Sequence, residues 1–245
     1  MGILRATDIQ PEGATTALTL GASGDSVTVA STQLRANTFK DAGGNTLWTS
    51  NGSGNLSSVN SSLAGGGYVF ISSQTITTAV NEVVFTTGID STYDEYVFIV
   101  TDIHVANNAA SIFWNMSING GGAYDGANRT ALAWVSYNNA GDATQGLAYQ
   151  ASQDLGSTTG DLYIIHEQEN GADANGCGIC RLYQPSNTTF MTQFEVRTAS
   201  LNYNNRIQDW HTAGYVMTTT PVDAVQFKCS SGNMDNGTFQ LYGVA

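Results

Sequence analysis

The chain has 245 residues, a formal net charge of −12 and only 11% Asp, Glu, Lys and Arg, against about 25% in ordinary soluble domains. Lysine occurs only at Lys40 and Lys228, so no basic patch can contact phosphates, which argues against binding of DNA, RNA or anionic lipid. Ser, Thr, Asn and Gly replace the charged residues, and their side chains disfavour helices by competing for backbone hydrogen bonds. The composition therefore predicts an all-β protein with no nucleic-acid partner.

Residues 1–13, MGILRATDIQPEG, have the character of an attachment tail. Their apolar residues stand outside any repeating pattern, so a partner surface is what would cover them. A short extended peptide of this kind can bind by adding a strand to the edge of a neighbouring sheet. We expect docking on another protein through Ile3, Leu4, Arg5 and Ile9.

Residues 14–66 carry apolar residues in short packets separated by Gly, Asn, Asp and Ser. Each packet is too small to form a core within one chain, so stacked rungs or partner chains must bury it. We predict a β shaft in which three copies intertwine; the alternative is a Ser/Gly-rich linker without fixed structure. The predicted packing residues are Leu18, Leu20, Val27, Val29, Leu34, Phe39, Leu47 and Trp48.

From residue 67 to residue 245 the pattern is that of a β-sandwich or jelly roll. Short runs of β-branched and aromatic residues alternate with turns rich in Gly, Asn and Asp. Ser111 to Ile118 alternates, with Ile112, Trp114, Met116 and Ile118 on one side. The candidate strands are 68–76, 82–86, 95–105, 111–118, 129–137, 146–152, 161–167, 177–183, 190–197, 211–217, 223–228 and 237–243.

Two stretches of this region carry a resemblance. GIDSTYDEYVFIVTDIH (88–104), followed by a strand and INGGGAYDG (118–126), resembles the opening of a β-sandwich domain common in tailed-phage structural proteins. SSGNMDNGTFQLYGVA (230–245) resembles that domain's last hairpin and its closing G-x-x-x-L-Y-G. The N-terminal GASGD-V-x-V followed by GGNTLW is similar to phage shaft segments. The resemblance implies a location on the virion; it does not imply a reaction.

Motifs of catalysis and metal binding do not emerge. HEQEN has Asn170 where the H-E-x-x-H zinc signature needs histidine, and there is no nucleophile elbow or phosphate-binding loop. The carboxylate clusters in DSTYDE and around Glu167 suit turns better than a carbohydrate-cleaving pair. We expect no catalytic, cofactor or metal site. Calcium on DSTYDE, NGADANG or NMDNG is the alternative, although the EF-hand spacing is absent.

Three cysteines make an odd count. Cys177 and Cys180 form a C-x-x-C pair. A redox-active motif of this kind needs a βαβ context, which this chain lacks, and a zinc site needs a second ligand pair at short spacing, which is also missing. We interpret the cysteines as structural or incidental, and a bridge from Cys229 to either of the others stays open.

Aromatic residues on polar stretches suggest a lectin-like site, because a sugar can stack on such a ring while Asn and Asp bond its hydroxyls. The alternative is that these rings fill the core or a subunit contact. The candidates are Trp134, Tyr137, Tyr203 and Trp210.

The sequence thus predicts a non-enzymatic phage virion protein, a homotrimeric fibre or capsid-decorating spike. Residues 1–13 bind other virion proteins, of the capsid or of the phage tail, and residues 14–66 form the shaft that trimerises. Residues 67–245, which we call the knob, contact host surface glycans. MGILRATDIQ has no signal-peptide core and no segment approaches about 18 apolar residues, so we expect assembly in the host cytoplasm without membrane insertion. The alternatives are a lectin-like module or tail receptor-binding protein and, more weakly, a polysaccharide-degrading enzyme.

Overall fold

A computed structural model describes residues 38–41, 44–50, 56–59 and 67–244. The chain divides into two compact units, residues 1–60 and residues 61–245. The described residues form sixteen strands and no helix, which confirms the all-β prediction.

The first unit contains an antiparallel meander of three strands, β1 (Thr38–Lys40), β2 (Thr46–Ser50) and β3 (Leu56–Val59). Phe39 pairs with Trp48 across β1 and β2, and their rings stack with centroids 4.0 Å apart. Of the predicted shaft residues, Phe39, Leu47 and Trp48 lie in this sheet and are half-buried within one chain. The other shaft residues and the tail residues lie outside the described part: Leu18, Leu20, Val27, Val29 and Leu34, and Ile3, Leu4, Arg5 and Ile9.

The second unit holds the remaining thirteen strands. In chain order they are β4 (Tyr68–Thr75), β5 (Glu82–Phe85), β6 (Glu95–Val105), β7 (Ala110–Ser117), β8 (Arg129–Asn139), β9 (Gln145–Tyr149), β10 (Leu155–Thr158), β11 (Tyr163–Gln168), β12 (Gly176–Tyr183), β13 (Gln193–Asn202), β14 (Arg206–Val216), β15 (Ala224–Cys229) and β16 (Met234–Val244).

These strands form a long and a short antiparallel sheet that face each other as a sandwich. The long sheet has the order β4-β16-β6-β12-β13-β14-β8, and both β9 and β10 pair with the far edge of β8. The short sheet has the order β5-β15-β7-β11. The two sheets join where Gln168 of β11 pairs with Asn202 of β13. The sandwich predicted from the turn spacing is therefore confirmed.

Aromatic rings from both sheets fill the core. Trp114 of β7 stacks on Phe227 of β15 at 6.2 Å, and Phe98 of β6 meets Trp114 edge-on at 5.7 Å. Phe239 of β16 lies 4.8 Å from Phe227, and all four side chains are fully buried. Full burial of each such side chain contributes about 1.5–3 kcal/mol. The alternation predicted for β7 is confirmed, because Ile112, Trp114 and Met116 all point into this core.

The strand predictions failed in two places. The short β10 was not predicted, and the predicted strands 190–197 and 211–217 are parts of a single long hairpin. In that hairpin β13 and β14 pair over ten residues up to Asn202 and Arg206. The polar NYNN sequence (202–205) forms only its tip, where Asn205 takes φ +56°, a conformation that asparagine tolerates.

Candidate functional site

GIDSTYDEYVFIVTDIH and the closing stretch, which both carry the resemblance, meet where β6 pairs with β16 in the long sheet. Gly243 of the closing motif pairs with Tyr96, and a Cβ at Gly243 would lie 2.2 Å from Cδ2 of Tyr93. Only glycine therefore allows the Tyr93 ring to lie against β16. The Tyr96 hydroxyl donates to the carbonyl of Asp90 at 2.9 Å and accepts from its N–H at 3.0 Å. These contacts give the residues of both stretches a role in holding the fold together.

The outward side of the long sheet is an open surface that we call the open face. Cross-strand neighbours lie in rows, since directly paired residues point to the same side of a sheet. One row joins six strands and is the reference row for the site: Ile99, Ile179, Arg197, His211, Trp134 and Tyr149.

His211 and Arg197 of this row share contacts with Asp209, which lies beside the row on the same face. The rings of His211 and Trp134 stack with centroids 3.8 Å apart and planes 8° from parallel. His211 Nε2 lies 3.2 Å from Asp209 Oδ1. Arg197 donates to both Asp209 oxygens, from Nε at 3.1 Å and from Nη2 at 3.0 Å. The hydrogen bond from Arg197, assisted by His211, keeps the pKa of Asp209 below its ordinary value despite partial burial.

A second ionic group lies beside this row, centred on Arg181. Its guanidinium pairs with Glu95, lies 3.6 Å from Glu195, and donates to the Tyr68 hydroxyl at 3.0 Å. Burial and a hydrogen bond to Glu195 raise the pKa of Tyr183 to about 12. One cation is thus shared by two carboxylates and also contacts a tyrosine hydroxyl.

Three adjoining depressions run along the strands of the open face, with volumes of about 410, 630 and 520 Å³. The first two share Leu132, Glu195 and Ala213, and the last two share Tyr183 and Gln193. The small side chain of Ala213, paired with Glu195 and Leu132, leaves room between its larger neighbours. We call the three together the groove. Its lining includes Leu132, Trp134, Tyr149, Asp154, Arg181, Tyr183, Phe190, Met191, Glu195, Arg197, His211 and Tyr215.

The four residues predicted to contact glycans are not brought together. Trp134 is half-buried on the open face. Trp210 is only 1% exposed, and its Nε1 donates to Thr212 Oγ1 at 2.9 Å, so its prediction as a surface contact is wrong. Tyr137 packs against the same inner cluster as Trp210, with Arg206 over its ring at 5.3 Å. Tyr203 is 39% exposed at the tip of the β13–β14 hairpin.

Most of the groove was missed by sequence reasoning, although a signal for it existed. Along β13 exposed and buried residues alternate strictly, so Glu195 and Arg197 face out while Phe194 and Val196 face in. In β14 the same alternation puts Asp209 and His211 on the opposite side from Trp210. The polar neighbours of Trp210 therefore already indicated that its ring points inward.

The cysteines have no common site. Cys177 and Cys180 lie three residues apart in one extended strand, so their side chains point to opposite faces. All three cysteines are free thiols, and Cys180 and Cys229 are buried. Burial raises the pKa of both buried thiols, which makes them poor nucleophiles.

The other two histidines have structural partners. His104 Nδ1 lies 2.5 Å from Asp235 Oδ1 and its Nε2 lies 3.0 Å from the Gly171 carbonyl oxygen. Burial lowers the pKa of His104, but these two bonds outweigh burial and the net shift is upward. His166 stacks on Trp210 at 5.2 Å, and burial lowers its pKa. Within the described residues, no three His, Cys, Asp or Glu side chains are grouped so as to hold a metal ion.

No protein-family model matches the chain, and neither does any curated protein or any solved structure. Across the part of the chain that the structure describes, no helix has the length and apolar character needed to cross a membrane.

Proposed function

We propose that the chain is a non-enzymatic structural protein of a phage virion, a homotrimeric fibre or capsid-decorating spike whose knob contacts host surface glycans. The observation that supports it best is the open face, where rings and ion pairs line a shallow groove on a rigid sheet. His211 and Arg197 both bind Asp209, so the polar side chains of this surface are held in place by one another.

Two further observations favour a display role. Two of the stretches that resemble phage structural proteins pair with each other as β6 and β16, so the resemblance lies in residues that help to determine the fold. The knob also has its own large aromatic core, which allows it to fold without residues 1–60.

Sedimentation of the full chain and of a chain lacking residues 14–60 tests the assembly. We expect the full chain to sediment as a trimer and the shortened chain to be a folded knob that trimerises weakly or not at all. An undiminished trimer after the deletion would assign assembly to the knob.

Electron microscopy of purified phage particles, labelled with antibody against the knob, tests the location. We expect label on the particle surface, and its loss after removal of residues 2–10, because Ile3, Leu4, Arg5 and Ile9 are proposed to dock on the virion. Unlabelled particles would contradict the virion role and leave the second candidate, a lectin-like module, which the same groove supports.

A further inference from the structure

We infer that the groove binds a neutral, hydroxyl-rich oligosaccharide, and that it discriminates against acidic glycans. This deepens the proposed function by naming the chemical class of the glycan and the residues that receive it.

The shape of the groove selects an extended ligand. The row of Trp134 and the row of Tyr183 are four residues apart along the strands, which is about 14 Å at the rise of a β-strand. The third depression continues beyond Tyr183 to Phe190 and Met191. A single sugar ring would leave most of this length empty, whereas a linear oligosaccharide can contact all three depressions.

Apolar side chains along the groove are exposed in the way that stacking on sugars requires. Tyr149 is 58% exposed, Leu132 44% and Phe190 69%. Tyr149 is also fixed, because its hydroxyl donates to Asp154 Oδ2 at 2.6 Å. A fixed aromatic ring provides contact area at a low cost in conformational entropy.

Hydroxyl groups of a ligand find fixed partners between these apolar surfaces. The side chain of Glu195 is 56% exposed and that of Arg197 is 70% exposed. Glu195 can accept from a hydroxyl, and Arg197 can donate from the nitrogen that Asp209 does not engage. Because each group is already held by a neighbour, binding orders few side chains.

The charge of the groove excludes anions. Its lining holds four carboxylates, Asp94, Glu95, Asp154 and Glu195, against two guanidinium groups, Arg181 and Arg197. Asp209 adds a fifth carboxylate next to Arg197. The chain as a whole carries −12. A sialylated, uronic or sulfated glycan would enter this surplus of negative charge, whereas a neutral polyol is not repelled.

The test uses the full chain on an array of neutral gluco- and galacto-oligosaccharides, from disaccharide to hexasaccharide, beside sialyllactose and oligogalacturonate. Titration calorimetry then measures the best neutral probe with Tyr149→Ala, Trp134→Ala and the matched control Phe70→Ala, which removes a ring that is 56% exposed and lies outside the groove. We expect affinity to rise with chain length. We expect each groove variant to weaken binding about three- to tenfold, the range given by one aromatic contact, and the control to bind like the parent.

Each other outcome overturns the inference. A preference for the acidic probes contradicts the charge argument. Neutral binding that neither groove variant weakens places the site elsewhere. Absence of binding to every probe removes the glycan site altogether. The trimeric state and the virion location are tested independently, by sedimentation and by particle labelling. If Tyr149→Ala instead dissociates the trimer, a second copy occupies the groove.

Discussion

The outward surfaces of the two sheets differ in which side chains they expose to solvent: the long sheet exposes apolar residues, whereas the short sheet buries polar ones. On the open face of the long sheet, Leu132 is 44% exposed and Leu147 72%. On the outward side of the short sheet, which we call the covered face, the polar residues Asn115 and Ser117 are 2% and 0% exposed. Apolar groups are thus left to solvent on one face while amides and hydroxyls are buried on the other. The comparison shows that a face is buried when chain segments lie across it, whatever the polarity of the side chains on that face.

Local segments cover the short sheet by bonding its polar residues. The Ser117 hydroxyl accepts the N–H groups of Asn119 and Gly121, at 3.2 and 3.0 Å. Asn115 donates to Asp161 Oδ1 at 2.7 Å and accepts from the N–H of Leu162 at 3.3 Å. A buried polar group costs little only when it is bonded, so polar residues are what allow these segments to lie on the sheet.

The largest effect that separates the two faces is expected from Asn115→Ala. The substitution leaves the Leu162 N–H and the Asp161 carboxylate without this partner, which costs about 2–3 kcal/mol of unfolding free energy. The matched control is Asn138→Ala on the open face, where Asn138 is exposed and water can replace its bonds; it should change stability by less than about 0.5 kcal/mol. Urea unfolding measures both, and equal losses would show that the covered face has no special role.

A pair of glycine substitutions tests the segment that covers Ser117. Gly121 has φ +86° and its added Cβ would lie 2.8 Å from Thr86 Cγ2, whereas Gly120 has φ +71° with open space around it. Both alanine variants carry the backbone cost of a left-handed conformation, about 1–2 kcal/mol. Gly121→Ala should lose about 1 kcal/mol more, because the segment must lift from the sheet. Identical melting temperatures for the two variants would refute this account of the cover.

We expect the contributions of two histidines to the pH dependence of stability to be smaller than the effects of the substitutions above, and to have opposite signs. The pKa of His166 is lowered by burial, so its contribution is present above the unfolded value near 6.5 and is lost as pH falls through the folded pKa. The pKa of His104 is raised, so its contribution is present below 6.5 and is lost as pH rises. His166→Phe should flatten the decline of Tm below pH 6.5, and His104→Gln the decline above it. The reverse assignment would contradict both environments.

The smallest effect is expected from Leu147→Ser on the open face. At 72% exposure this side chain buries little apolar area, so stability should change by less than about 0.5 kcal/mol. The measurement is the urea midpoint of the full chain. A loss above about 1 kcal/mol would mean that something covers the open face in solution, as a second copy would.

Local periodicity was sufficient to predict much of the fold, and it could not predict the site. The continuous apolar run of β6 and the alternation of β7 identified both strands, since each signal depends only on neighbouring residues. The groove depends on pairing between strands that are far apart in sequence, as when Trp134 of β8 comes to lie against His211 of β14. No local pattern encodes that register. The burial of Asn115 was equally hidden, because alternation alone would leave its face to solvent.

The position of β16 in the long sheet has a consequence for how the knob is made. This strand, residues 234–244, lies between β4 and β6, so it pairs with residues synthesised more than a hundred positions earlier. A nascent chain therefore holds β4 and β6 apart, with unpaired edges, until almost the whole knob has left the ribosome. Pairings of such high contact order close slowly, and open strand edges invite association with other chains. Completion of the long sheet therefore waits for residues 234–244 to be made, and until then the edges of β4 and β6 that face β16 are open to pairing with other chains.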